Sequence, residues 1–315
     1  MKKNIFKWFA SLITFVLVAW LSLSSCASSA TQIQPALTEL PAFKDGPGKL
    51  AFAAQKTAQD QYEIYSFDVV TNNLTRLTKN GFADIAPSWS PDGQKLVFAS
   101  NVNGIYQLFS IDADGNNSTR LISSGADDTQ PAWMPGADGT KIAFQSNGNG
   151  DYDIYILDLL LKTRKPVTRA DSQETQPAWS PNGKQIAFVS NQDGDFEIYI
   201  MDANGRNPMQ ITKNKAYDSS PVWSPDGKQI AFISKRDPDQ HFQLFLMNPD
   251  GSNEMQLTKS EFTNHSPAWS PDGKYLAFIS ETNDGSRLIA MNLATEQMHL
   301  VTSGFYDYAG LSWIK

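Results

Sequence analysis

The chain has 315 residues, with 26 Lys and Arg against 33 Asp and Glu, three His and a formal net charge of −7. That length can enclose one large core, and that sign opposes a phosphate backbone, so no nucleic-acid partner is expected. The one cysteine excludes an intramolecular disulfide in any compartment.

In chain order, Lys2, Lys3 and Lys7 precede an apolar stretch from about Phe9 to Leu23, the pattern of an export signal. It runs into "LSSC", Leu23 to Cys26, which resembles the lipobox of bacterial lipoproteins. That resemblance implies cleavage after residue 25 and lipidation of Cys26, with Ala27 favouring an outer membrane facing the periplasm. Without the three leader lysines, 23 basic residues face 33 acidic ones. Residues 26–47 are rich in Ser, Thr, Pro and Ala with weak periodicity and are expected to be a flexible tether.

From residue 48 onward the sequence repeats. Short tryptophan segments stand at Trp89, Trp133, Trp179, Trp223, Trp269 and Trp313, spaced 44, 46, 44, 46 and 44 residues apart. Five of them run into a Pro and Gly turn such as "SPDG", then an apolar run such as "KLVFAS" or "YLAFIS". A strand such as "YDIYILD" follows, then a closing one such as "MQLT". Four short strands per period of about 45 residues, joined by Gly, Asn, Asp and Pro turns, make one propeller blade. The first unit, beginning "KLAFAA" at Lys49, lacks its tryptophan strand, and the carboxy-terminal "LSWIK" is such a strand without successors. Together they complete a blade and cover a sheet edge. The expected fold is therefore all-β: a six-bladed β-propeller of four-stranded antiparallel blades over 48–315, closed by the C-terminal strand joining the N-terminal blade.

The tryptophans are expected to pack between blades and the "SPDG" segments to be hairpin turns. Asp68, Asp112, Asp158 and Asp202, which end the third strands, are expected to cap the following turn. The residues just before each "PxW" should gather round one mouth of the channel: Asp84, Asp128, Glu174, Asp218, Asn264 and Tyr308, with Asp127, Asp307 and Tyr217 beside them. This acidic, aromatic mouth is the candidate binding surface for a basic peptide segment or a cation, although the same carboxylates could instead cap the turns entering the strands. The opposite face carries Lys95, Lys141, Lys184, Lys228 and Lys274 mixed with Asp92, Asp138, Asp226 and Asp272.

The consensus "PAWSPDGKxxAFxS…xxIYxMDxxGxxxxxLT" resembles the TolB-type propeller repeat across residues 48–315. That resemblance implies a cell-envelope protein of the Tol–Pal kind that works by binding other proteins. The chain departs from the family's prototype, which has an α/β domain before the propeller where only about 22 residues stand here. No enzymatic activity is expected, since neither a G-x-S-x-G elbow nor a hydrolase domain is present. The alternative is a carbohydrate-binding or oligogalacturonate-lyase-like propeller, whose metal site would need histidine. His241, His265 and His299 fall in different parts of the repeat and are not expected to converge. No cofactor is expected, no residue is assigned to a metal, and nothing in the sequence supports a channel-bound cation such as calcium. The expected partners are an envelope protein or basic peptide and, through Cys26, the membrane, with the chain itself a monomer.

Overall fold

The computed structural model describes residues 40–315 apart from 45, 137–138, 170 and 237–240. The export signal, Cys26 and residues 26–39 of the expected tether lie outside the described residues. Every regular element among those described is a strand. The 24 strands form six four-stranded antiparallel sheets.

The inner strands are β4 (Asp84–Trp89), β8 (Asp128–Trp133), β12 (Glu174–Trp179), β16 (Asp218–Trp223), β20 (Asn264–Trp269) and β24 (Asp307–Ile314). Five of them open a sheet whose strands follow in chain order. The sixth, β24, pairs antiparallel with β1 (Lys49–Gln55), which leads into β2 (Glu63–Asp68) and β3 (Asn73–Arg76). This composite blade closes the ring as the repeat pattern requires, with Trp313 opposite Leu50 and Ser312 opposite Ala51.

The core repeats because the register repeats. Phe52, Phe98, Phe144, Phe188 and Phe232 of the second strands are buried. They sit opposite Tyr65, Phe109, Tyr155, Tyr199 and Phe245 of the third strands. Ring centroids in these pairs lie 5.5–6.0 Å apart, the cross-strand contact that rewards aromatic residues in sheets. In the last complete blade Phe278 meets Ile289 instead. The tryptophans pack between blades: Trp179 shares a cluster with Ala143 and Ile154 of the preceding blade. Its Nε1 donates to Ala132 O at 3.1 Å, and Trp269 Nε1 donates to Val222 O at 3.1 Å.

The turns also follow the sequence. Ser90 Oγ donates to Asp92 Oδ1 at 2.6 Å and accepts from Lys95 N at 2.9 Å, and the same pattern recurs at Ser180, Ser224 and Ser270. Asp68 and Asp158 accept backbone N–H groups of the turns that follow them. Asp112 and Asp202 accept the Asn117 and Asn207 side chains instead.

Two features depart from the sequence reading. Five inner strands start three residues before their "PxW" and β24 four residues before its "LSW", and each carries a bulge. Its third or fourth residue takes positive φ: Ala86, Gln130, Gln176, Ser220, Ser266 and, in β24, Gly310 at +64°. Gly310 is needed there for a second reason, because a Cβ would lie 2.9 Å from Ala86 Cα. The end of the expected 26–47 tether is also not free chain. Leu40 and Phe43 are buried, Ala42 bridges Leu300 in β23 (Met298–Thr302), and Phe43 N donates to Leu300 O at 2.9 Å. Phe43 meets Tyr275 and Trp313 edge-on at 5.0 and 5.7 Å, so its apolar area pins the segment across the blade junction.

Candidate functional site

The bulge decides which residues the mouth presents. Asp84, Asp128, Glu174, Asp218 and Asn264 are the first residues of their inner strands, at most 2% exposed, and Tyr308 is 1% exposed. They form an inner polar ring rather than an accessible surface. In four of them a backbone bond from the strand's first residue to the preceding blade fixes this position: Asp84 N→Tyr62 O at 2.8 Å, Glu174 N→Tyr152 O at 2.7 Å, Asp218 N→Phe196 O at 2.9 Å and Asn264 N→Phe242 O at 2.8 Å.

The side chains of the inner ring tie loop, second strand and blade together. Asp84 accepts Ser100 Oγ and Asn80 Nδ2; Asp128 accepts Ser124 Oγ at 2.6 Å and Arg164 Nη1 at 3.1 Å. Asp218 accepts Asn214 Nδ2 at 2.7 Å and Arg236 Nη2 at 2.8 Å. Asn264 donates to Gln243 Oε1 at 3.1 Å. Burial pushes the Asp84, Asp128 and Glu174 carboxyls up, and hydroxyl or amide donors pull them partly back. The expectation that these residues touch a partner is therefore corrected: a partner surface needs solvent access, which they lack.

Asp127, Asp307 and Tyr217, one residue earlier in the repeat or equivalent to that position, are partly exposed and form an outer rim. Asp127 accepts Tyr106 N at 2.9 Å and Asn147 Nδ2 at 3.4 Å. Asp307 accepts Tyr62 Oη at 2.5 Å and Ser286 Oγ at 3.0 Å. Beside Asp307 stand two residues the sequence reading missed as partners. His265 Nε2 lies 3.5 Å from Glu281 Oε1, with their side chains 21% and 42% exposed. Burial, and then the Asp307 charge, push Glu281 up to about 7. Burial pushes His265 down to about 4, against the pull of Asp307. A signal for Glu281 was present in the repeats. The position after each second strand's Ser is Asn101, Asn147, Asn191 or Lys235 elsewhere and turns acidic only here.

The rim is chemically divided. Around Asp127, Asp307 and Glu281 stand Tyr62, Tyr106 and Tyr152, whose hydroxyls burial and these carboxylates hold in the neutral form. On the other side Tyr217 packs between Phe196 and Phe242 at 4.8 and 5.6 Å, and Lys235 Nζ sits 5.6 Å from the Phe242 ring centre. Two aromatic side chains on loops entering neighbouring inner strands remain open to solvent: Phe82 at 39% and Tyr306 at 52%.

The histidines stay apart. His241 Nδ1 lies 3.5 Å from Thr263 Oγ1, His299 faces Phe43, and His265 stands at the rim. Among the described residues, no group of three or more His, Cys, Asp or Glu is placed to hold a metal ion.

Comparison with known proteins agrees with this architecture. The family model described as the TolB beta propeller domain matches residues 17–138 and 106–312. TolB from Acinetobacter baumannii is similar over 88% of this chain and 68% of its own, with 20% identity and a TM-score of 0.74. A putative TolB from Agrobacterium tumefaciens is similar over 82% and 90%, with 23% identity and a TM-score of 0.67. An oligogalacturonate lyase from Vibrio parahaemolyticus shares the fold over 83% and 74%, at 15% identity and a TM-score of 0.54. No curated protein matches the chain in sequence.

Proposed function

We propose that this chain, which belongs to the TolB β-propeller family, is a non-enzymatic cell-envelope protein that binds a protein or peptide partner at the rim of its channel mouth. The observation that carries this reading is the arrangement at β24: the partly exposed Asp307, whose charge acts on the partly exposed Glu281, follows directly on the exposed Tyr306. Exposed aromatic area gives a partner something to bury, and carboxylates beside it favour Lys or Arg over acidic segments. The partner is thus a basic segment of an envelope protein. Its function is of the Tol–Pal kind, in envelope integrity or transport. Export and lipidation at Cys26 would hold the propeller at the outer membrane facing the periplasm, as a monomer.

The test is photo-crosslinking in cells, with a photoreactive residue replacing Tyr306 or Phe82 at the rim, or Leu160 on the opposite face. The expected result is a discrete protein adduct from both rim positions and none from Leu160. Adducts from Leu160 only, or a released oligosaccharide product on incubation with glycan, would overturn the reading. The anchor has its own test: Cys26→Ser should abolish lipid labelling and release the exported protein from membranes.

A further inference from the structure

The six blade junctions form an internal comparison. At each, the third-strand residue that pairs with the second strand's end stands 21 residues before the inner-ring residue of the next blade. The pairs are Glu63/Asp84, Gln107/Asp128, Asp153/Glu174, Glu197/Asp218, Gln243/Asn264 and Arg287/Tyr308. Three of these pairs join two carboxyl groups, and two of the three bring their own cation. Arg76 Nη2 lies 2.7 Å from Glu63 Oε1, and Arg236 Nη2 lies 2.8 Å from Asp218 Oδ2. At Gln107/Asp128 the single carboxylate has Arg164 at 3.1 Å, and Gln243/Asn264 is neutral.

Asp153/Glu174 breaks the pattern. Both residues are buried, at 4% and 2% exposure, and among the described residues no Lys or Arg forms an ion pair with either. Their partners are neutral: Thr168 Oγ1 donates to Asp153 Oδ1 at 3.1 Å and Asn149 Nδ2 to Asp153 Oδ2 at 3.4 Å. Ser172 and Ser190 hydroxyls donate to Glu174 Oε1 at 2.5 and 3.0 Å. Glu174 Oε2 is buried with no hydrogen-bond partner. Glu174 N donates to the backbone of Tyr152, Asp153's neighbour in sequence, at 2.7 Å, and the Asp153 charge acts on the Glu174 carboxyl. A buried carboxylate with an unpartnered oxygen, within reach of a second buried carboxylate's charge, is costly unless a positive charge joins them. In the sister junctions that charge is a guanidinium.

We propose that the Asp153/Glu174 junction is a binding site for Ca²⁺. The available donors are all oxygens: two carboxylates and the hydroxyls of Thr168, Ser172 and Ser190. That is a hard-cation set, and its irregular geometry suits Ca²⁺ better than Mg²⁺, which demands a near-octahedral shell at about 2.0–2.1 Å. Two carboxylates with neutral oxygens place it with weak extracellular-type sites, with dissociation constants of about 10⁻⁴–10⁻³ M. The bound ion would clamp one blade to the next beneath the rim, independently of whether the rim binds a partner.

The test uses the full chain, stripped with chelator and then titrated with CaCl₂ to about 10 mM, with MgCl₂ as the ionic control. The melting temperature should rise by roughly 2–5 °C with Ca²⁺ and by much less with Mg²⁺. Tb³⁺ should show luminescence sensitised by nearby Tyr152, displaced by Ca²⁺. Glu174→Gln and Asp153→Asn should each abolish both responses, while Asp307→Asn at the rim keeps them. A wild type that ignores Ca²⁺, but gains stability from Glu174→Gln, would show that a shared proton holds the pair and would overturn the proposal. A Ca²⁺ response retained in both junction variants would also overturn it.

Discussion

Asp127 and Asp128 are consecutive residues with opposite fates. Asp128 is fully buried and holds Arg164, while Asp127 stands at the rim, held by Tyr106 N and Asn147. The same contrast separates Tyr308 from Asp307. One step along a strand turns a side chain to the other face, so a single acidic stripe in the sequence becomes two structures. The inner ring holds blades together, and the rim meets solvent. Charge in a repeat thus does not by itself mark a binding surface.

The largest effect should come from removing most of the strand that closes the ring beneath both elements. Deleting Leu311 to Lys315 takes away Trp313, which packs against Phe43 and donates to Pro47 O at 2.7 Å, and leaves Lys49 to Phe52 of β1 as an unpaired edge. Loss of a cooperative melt is expected; a truncated chain melting like wild type would break the ring-closure argument. Trp313→Ala alone should cost about 3–5 kcal/mol in chemical denaturation.

Next, the inner ring and the rim should separate in stability. Asp218→Ala strands the Arg236 guanidinium, and breaking such a pair costs about 3–5 kcal/mol when both partners are buried, less here because Arg236 keeps some exposure and a second partner in Glu254. Asp127→Ala, at the partly exposed rim, should change stability by no more than about 0.5 kcal/mol. Equal losses from the two would erase the distinction.

A smaller effect is the pH dependence at Glu281. Its carboxyl is raised to about 7 in the folded chain, above its ordinary value of 4.5, so the folded state binds more protons between those limits. The ionised form disfavours folding above pH 7, and that penalty is relieved as pH falls through 7 towards 4.5. Glu281→Gln should therefore raise the melting temperature at pH 8 more than at pH 6. His265, lowered to about 4 from 6.5, acts oppositely: stability is lost as pH falls from 6.5 through 4. A basic partner should bind the rim roughly 2–5-fold less well at pH 6 than at pH 8, as one rim charge disappears, the scale of an exposed ion pair.

Much of the fold was legible because its signals are local and repeated. The tryptophan period gave six blades, and "LSWIK" without successors gave the closing strand. The site was less legible, because the positive-φ bulge at Ala86, Gln130, Gln176, Ser220 and Ser266 has no residue signature, Gly310 being the exception. With the strand start placed at "PxW", Asp84, Asp128 and Glu174 read as loop residues when they are strand residues. Glu281 and His265 meet Asp307 across blades, a contact set by closure rather than by spacing. Phe43 was hidden in a stretch of tether-like composition, where it docks together with Leu40 and a backbone bridge to Leu300.

The most direct measurement compares two triple variants in the photo-crosslinking assay from Tyr306, each beside its melting temperature. The first, Asp127→Asn, Asp307→Asn and Glu281→Gln, removes rim charge; the second, Asp128→Asn, Glu174→Gln and Asp218→Asn, removes inner-ring charge. Rim neutralisation should cut the adduct yield severalfold with little change in melting temperature. Inner-ring neutralisation should shift the melting temperature while the folded fraction crosslinks as wild type. Loss of the adduct in the second variant at temperatures where it stays folded, with the first unaffected, would contradict the assignment of binding to the rim.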